Sequence, residues 1–182
     1  NYEFFNPKTG ITYQASSDQQ FYFSYSKAQR EPSRSDFENG NPKPEILNDY
    51  ELGWRINKNQ FYIYSNIYLM AYKDQLALTG ALDDVGTPIR ENIGESSRFG
   101  IEIDAKFNFS DKWSFHPNIA LSKNINKDFY FKRDGILTYL GDTNLSYSPE
   151  LVVGNVLVYR PSDNLNISFL TKIIGDQYMS NI

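Results

Sequence analysis

The residues able to do chemistry in this chain are few in kind and regular in spacing. In "RFGIEIDAKF", Arg98, Glu102, Asp104 and Lys106 occupy even positions and carry both signs of charge. Glu51 and Arg55 are spaced alike in "YELGWR". Charges on one side of a period-two run line a polar channel or meet solvent, and Glu51 is given no catalytic part. A second set stands between the patterned runs: Arg30, Arg34, Lys43, Arg90, Lys127, Lys132 and Arg133, with Phe129, Tyr130 and Phe131. Guanidinium and ammonium groups beside rings suit an anionic chelate or phosphates; ordinary solvation is the competing reading for each.

Other chemistries are poorly supplied. The chain has no cysteine, which removes thiol catalysis, disulfides and cysteine metal sites. Its one histidine, His116, would have to serve as base in any hydrolase, and a lone histidine is far more often structural. No Walker loop, G-x-S-x-G or zinc motif is present. The acidic words "SDFEN" and "LDDVG" lack calcium-loop spacing. No catalytic residue, metal ligand or cofactor is therefore assigned, and the chain is read as non-enzymatic. A net charge of −4 argues against nucleic acid as a partner.

Strands must position these groups. "FGIEIDAKFNFSDKWSFHPNIAL" alternates on both sides of Ser110, Asp111 and Lys112, with Phe99, Ile101, Ile103, Ala105, Phe107 and Phe109 on one face. Period two over that length predicts a hairpin. The same reading predicts eight strands: about 9–16, 21–28, 46–56, 61–76, the two arms of this hairpin, 145–159 and 165–174. In the fourth, "FYIYSNIYLMAY", both faces are largely apolar or tyrosine, so its register stays open. Pro117 in the sixth removes a ladder donor and predicts a bulge. His116 beside it falls on the charged side.

The connections alternate in length. Those at 17–20, 57–60, 110–112 and 161–164 are short and polar, fit for tight turns. Those at 29–45, 74–91 and 124–143 are long. A meander with every short turn at one end matches an outer-membrane barrel, with periplasmic turns and extracellular loops. Aromatic residues gather near the short turns: Phe21, Phe23, Trp54, Phe61, Phe107, Phe109, Trp113, Phe115 and Tyr159. An interfacial girdle would collect them so. With 14 Tyr and 13 Phe, the composition favours strands. The length, 182 residues, suits one domain. No run of 18 apolar residues is present, so no transmembrane helix is coded, but membrane strands escape that criterion. The chain starts without a signal peptide, as if in mid-strand, which predicts a trimmed precursor or an internal piece.

Several words add a resemblance. "REPSRSDF", "PKPEILNDYELGWR", "AYKDQLALTG", "VGTPIRENIGESSRFGIEIDAKF", "LSYSPELVVGNVLVYRP" and "IIGDQYMSN" follow one another along nearly the whole chain. In that order they resemble the C-terminal part of the β-barrel of TonB-dependent outer-membrane receptors, most closely the type found in Bacteroidetes. The resemblance implies an all-β fold, an antiparallel meander of about eight long strands that is a segment of a roughly 22-stranded transmembrane barrel. Residues 1–182 would be a partial barrel domain lacking the plug and the terminal strands, left with two open edges. It further implies a multi-pass protein of the cell outer membrane, active as a receptor for a scarce nutrient, a ferric siderophore foremost. Its partners would be outer-membrane lipid, lipopolysaccharide, the plug and TonB. Arg30, Arg34, Arg90, Tyr130 and Arg133 would then be ligand-facing loop residues. Glu51, Arg55, Arg98, Glu102, Asp104 and Lys106 would line the lumen.

Two other readings stand beside this one. A complete eight-stranded outer-membrane barrel, a lipid-modifying enzyme or adhesin, has a permitted strand number. A soluble lipocalin-like binder would need the phenylalanine row inside.

Overall fold

A computed structural model describes residues 2–38, 40–133, 136–179 and 181, with side chains described at all of these except 78–81, 131–133 and 136–137. The elements in chain order are β1 (Lys8–Gln14), β2 (Gln19–Arg30), α1 (Arg34–Glu38), β3 (Glu45–Asn57), β4 (Phe61–Lys73), β5 (Leu76–Leu82), β6 (Pro88–Asn92), β7 (Glu95–Asn108), β8 (Trp113–Arg133), β9 (Ile136–Asn144), β10 (Leu151–Ser162) and β11 (Leu165–Ile174). The main sheet runs β1-β2-β3-β4-β7-β8-β10-β11, antiparallel throughout. This is the expected meander of eight strands. β1 and β11 do not pair with each other, so these strands form an open wall, not a closed small barrel.

The short connections close as hairpin turns: Ala15 N–H reaches Gln19 O (2.9 Å), Lys58 N–H reaches Phe61 O (2.8 Å) and Phe109 N–H reaches Trp113 O (3.0 Å). All of them lie at one end of the sheet, and the long connections lie at the other.

Those long connections are more ordered than a loop reading expects. The first carries α1. The second contains the β5–β6 hairpin, a separate two-stranded sheet. In the third, β8 continues to Arg133 and β9 returns along it, so most of 124–143 is hairpin. The strand expected at 145–159 starts only at Leu151; Pro149, which has no N–H, precedes it and keeps "SYSPE" out of the ladder.

Two doubts about the main strands are settled. In β4, Phe61, Ile63, Ile67 and Leu69 pair with Phe107, Ala105, Ile101 and Phe99, which fixes the tyrosines on the charged face. Pro117 produces no bulge. The pairs Asp104↔Asn118 and Phe107↔Phe115 stand on either side of it in one register, and Asn155↔Pro117 holds on the other flank. The proline removes rungs toward β7 without shifting the strand.

Among the described residues the sheet buries few apolar side chains, Ile56, Ala105 and Phe129 among them, and exposes many. Phe23, Leu52, Phe99 and Phe169 are between 44% and 67% exposed. The strands are also staggered. One row of paired neighbours runs Tyr13, Phe21, Trp54, Ser65, Ile103, Ile119, Val153, Ile173. Tyr13 is next to the end of β1, but Val153 is far from the turn that ends β10. A stagger of this kind accompanies the strand tilt of a barrel wall.

Candidate functional site: a polar face and its long-loop end

The register sorts every strand residue onto one of two faces. The apolar face carries Phe21, Leu52, Trp54, Phe61, Ile67, Ile101, Ile103, Phe107, Phe115, Ile119, Leu157 and Phe169. Its charged positions, Lys27, Lys73, Glu95 and Lys123, all stand toward the long-loop end. Rings cluster near the short turns, with Trp113 and Tyr159 stacked at 4.3 Å between centroids and Phe61 and Phe107 at 6.2 Å.

The polar face collects Glu51, Arg55, Arg98, Glu102, Asp104 and Lys106, with His116 on the same side. β3 and β7 bring the charges, and β4 lies between them with Tyr62, Tyr64, Asn66, Tyr68 and Tyr72. Tyr64 therefore separates Arg55 from Asp104, and Tyr68 lies beside Glu51. The charges engage phenols and hydroxyls more than one another. The Arg55 guanidinium sits 5.1 Å from the Tyr22 ring centroid and 5.7 Å from that of Tyr64. Arg98 lies 5.0 Å from the Tyr72 centroid and donates to its hydroxyl at 3.4 Å. Ser24 donates to Glu51 at 3.2 Å. Among the described residues the ion pairs are Arg34–Glu38, within α1, and Arg30–Glu45, which stands at the long-loop end of this face; neither involves the six charges named above.

Three glycines let large side chains lie flat on the wall. Tyr22 covers its cross-strand neighbour Gly53, Tyr68 covers Gly100, and Asn118 covers Gly154. A side chain resting over a strand glycine restores packing that the glycine forgoes. The result is a hollow lined by Tyr22, Arg55, Tyr64, Glu102, Asp104 and Asn118. Sequence reasoning found its charges but missed Tyr22, Tyr64 and Asn118, whose face depends on which strands are neighbours.

The expected loop residues do not form one cluster. Arg30 is held by Glu45 at 3.3 Å, and Arg34 by Glu38 at 3.4 Å within α1. Arg90 is exposed on β6. Tyr130 packs against Tyr139 at 5.0 Å on the β8–β9 hairpin. The side chain of Arg133, like those of Phe131 and Lys132, lies outside the described residues.

Tyr139 also donates to Asp128 at 2.6 Å, and that hydrogen bond to a carboxylate holds the phenol's pKa above its ordinary value. The bonded neutral phenol is fully formed below the usual tyrosine pKa of about 10 and is lost as pH rises through the raised value. Among the late-titrating tyrosines seen by phenolate absorbance, Asp128→Asn should return one toward the ordinary range. Identical titrations of the two proteins would count against the bond.

Among the described residues no helix is long and apolar enough to cross a membrane, a finding that does not bear on strands. The chain matches the family model described as "TonB dependent receptor-like, beta-barrel" over residues 1–181. Among solved structures it is similar to the copper transporter OprC, with a TM-score of 0.72 and 16% identity over 92% of this chain and 25% of that one. The FrpB iron transporter from Neisseria meningitidis gives 0.65 and 20%, over 92% of this chain and 26% of that one. The ferric yersiniabactin uptake receptor FyuA from Yersinia pestis gives 0.66 and 16%, over 96% and 26%. At these identities the likeness is one of fold, and the chain spans about a quarter of each structure. No curated protein sequence matches it.

Proposed function

This chain belongs to the TonB-dependent receptor β-barrel family, and on that premise we propose that it forms part of the wall and extracellular loops of an outer-membrane receptor for active nutrient uptake. The observation that carries the reading is the division of the sheet. One face is exposed and apolar, with its charges confined to one end; the other holds charges largely unpaired with one another. Lipid satisfies the first face, and a polar lumen the second.

In this reading the short turns are periplasmic and the long loops extracellular. Glu51, Arg55, Arg98, Glu102, Asp104 and Lys106 face the lumen, where they meet water and a plug domain supplied outside residues 1–182. Energy enters through TonB acting on that plug. Lys27, Lys73 and Lys123, at the loop end of the lipid face, meet lipopolysaccharide phosphates. The ligand class favoured is a ferric siderophore: two of the three receptors above are described by iron or a ferric chelate, and the third by copper. Arg90 and Tyr130 are the strongest ligand-facing candidates, because Arg30 and Arg34 already have carboxylate partners.

The reading predicts TonB-dependent uptake. In a strain lacking the full-length receptor, accumulation of one labelled compound among ferric siderophores, haem, cobalamin and copper complexes should fall to background. It should return with the receptor only when TonB is present. Unchanged accumulation of all of them would overturn the ligand classes, and restoration without TonB would overturn the mechanism.

A further inference from the structure

We propose that the long-loop end is built as two units rather than four independent segments, and that Asn92 and Asn181 are the positioning residues that lock them. The first unit joins the β2–β3 connection to the base of the β5–β6 hairpin. The Asn92 side chain donates to Lys43 O (3.0 Å) and Asp74 O (2.6 Å) and accepts from Lys43 N–H (2.7 Å). Glu45 adds a second tie, accepting from Arg30 (3.3 Å) and from Leu76 N–H (3.1 Å). Gln75 is held on both sides, by Ile93 N–H at 3.0 Å and by the Ser96 hydroxyl, and α1 lies against β6.

The second unit joins the base of the β8–β9 hairpin to the segment after β11. The Asn181 carbonyl accepts from Ser146 N–H at 2.7 Å, and the residue is 1% exposed. Tyr147 N–H reaches Tyr178 O, and Gly175 N–H reaches Leu151 O, both at 2.8 Å. The same stretch is pinned to β8, because Ser122 N–H reaches Glu150 O (2.8 Å) and Leu145 N–H reaches Asn124 O (3.1 Å). The stretches 146–150 and 175–179 with Asn181, far apart in sequence, are thus two halves of one joint. The two units meet through the β7–β8 ladder, which ends at Ser96↔Asn126.

Arg30, Arg34 and Arg90 therefore travel together, and Tyr130 travels with the segment after β11. A side chain that bonds three backbone groups from two separate chain segments holds both or releases both. The inference is independent of which ligand the protein takes, so it fails or stands apart from the uptake experiment.

Hydrogen exchange on the full-length receptor in detergent or lipid nanodiscs tests it. Asn92→Ala should speed exchange about tenfold or more at 41–45, 74–76 and 92–94 together, with 145–151 and 175–179 unchanged. Asn181→Ala should do the reverse, speeding exchange at 145–151 and 175–179 and leaving the first unit unchanged. In the unmutated protein, rising denaturant should release the two segments of each unit at the same concentration. Acceleration confined to one segment, acceleration spread over both units, or unmutated segments released separately would each overturn the proposal.

Discussion

Gly100→Ala is expected to destabilise the folded wall by about 1–3 kcal/mol, the range for overpacking a filled site. The sign is the informative part. A strand-interior glycine ordinarily gives way to alanine with a gain of roughly 0.5–1 kcal/mol, since glycine loses more freedom on folding. At position 100 a Cβ would lie 2.6 Å from the Tyr68 hydroxyl and 2.8 Å from the Leu121 carbonyl oxygen. The tyrosine can swing away. The carbonyl belongs to β8, directly paired with β7, and moves only with the strand. Gly53→Ala is the milder case, because the nearest atoms it meets belong to the Tyr22 ring, a side chain that can leave its seat beside Arg55. Gly40, with nothing within 4 Å of its position, is the control. Denaturant midpoints of the full-length receptor should rank Gly40→Ala highest and Gly100→Ala lowest. A Gly100→Ala protein as stable as the control would refute the close fit between Tyr68, Gly100 and β8.

Ile103→Lys carries the second large expected effect. Ile103 lies near the middle of β7 on the apolar face, paired with Ser65 and Ile119. If that face meets lipid, a lysine there costs about 2–4 kcal/mol at mid-bilayer. If it meets water, the change falls within about 0.5 kcal/mol, as for most surface substitutions. Glu102→Lys, one residue away on the polar face, is the matched control and should be tolerated. Folding into lipid vesicles, read as the fraction resisting denaturant, should separate the two variants. Equal behaviour would remove the lipid assignment and with it the outer-membrane reading.

The sequence carried the wall further than it carried the loops, for a physical reason. Phe99 to Phe107 alternate with Glu102, Asp104 and Lys106 because the two faces of one sheet demand opposite chemistry of adjacent residues, so the pattern is local and legible. β5, β6 and β9 face no such division. β5 and β9 pair only with their own hairpin partners, β6 and β8, and show no sustained alternation of apolar and charged residues. β4 was legible as a strand but not as a register. Tyr64 and Tyr68 suit either face, and only Arg55, Glu51 and Asp104 on the neighbouring strands decide it. Pro117 misled because a missing donor and a bulge look alike in sequence. The structure keeps the register and gives up the rungs. The candidate site divides likewise: its charges followed from spacing, but the joints at Asn92 and Asn181 depend on contacts between distant segments.

The hairpins inside the long connections also bear on how such a wall assembles. Each strand of the main sheet pairs with the next one available, so no rung needs a distant part of the chain. The pairings of β4 with β7 and of β8 with β10 close the longest intervals, and are expected to be the slow steps. Closure entropy grows only as the logarithm of the free length, about 0.6 kcal/mol per doubling. A β5–β6 or β8–β9 hairpin that forms first removes most of that free length before the strands meet. The route to the folded wall then resembles a zip whose gaps are bridged in advance, and weakening either hairpin should slow insertion even where the finished sheet is equally stable.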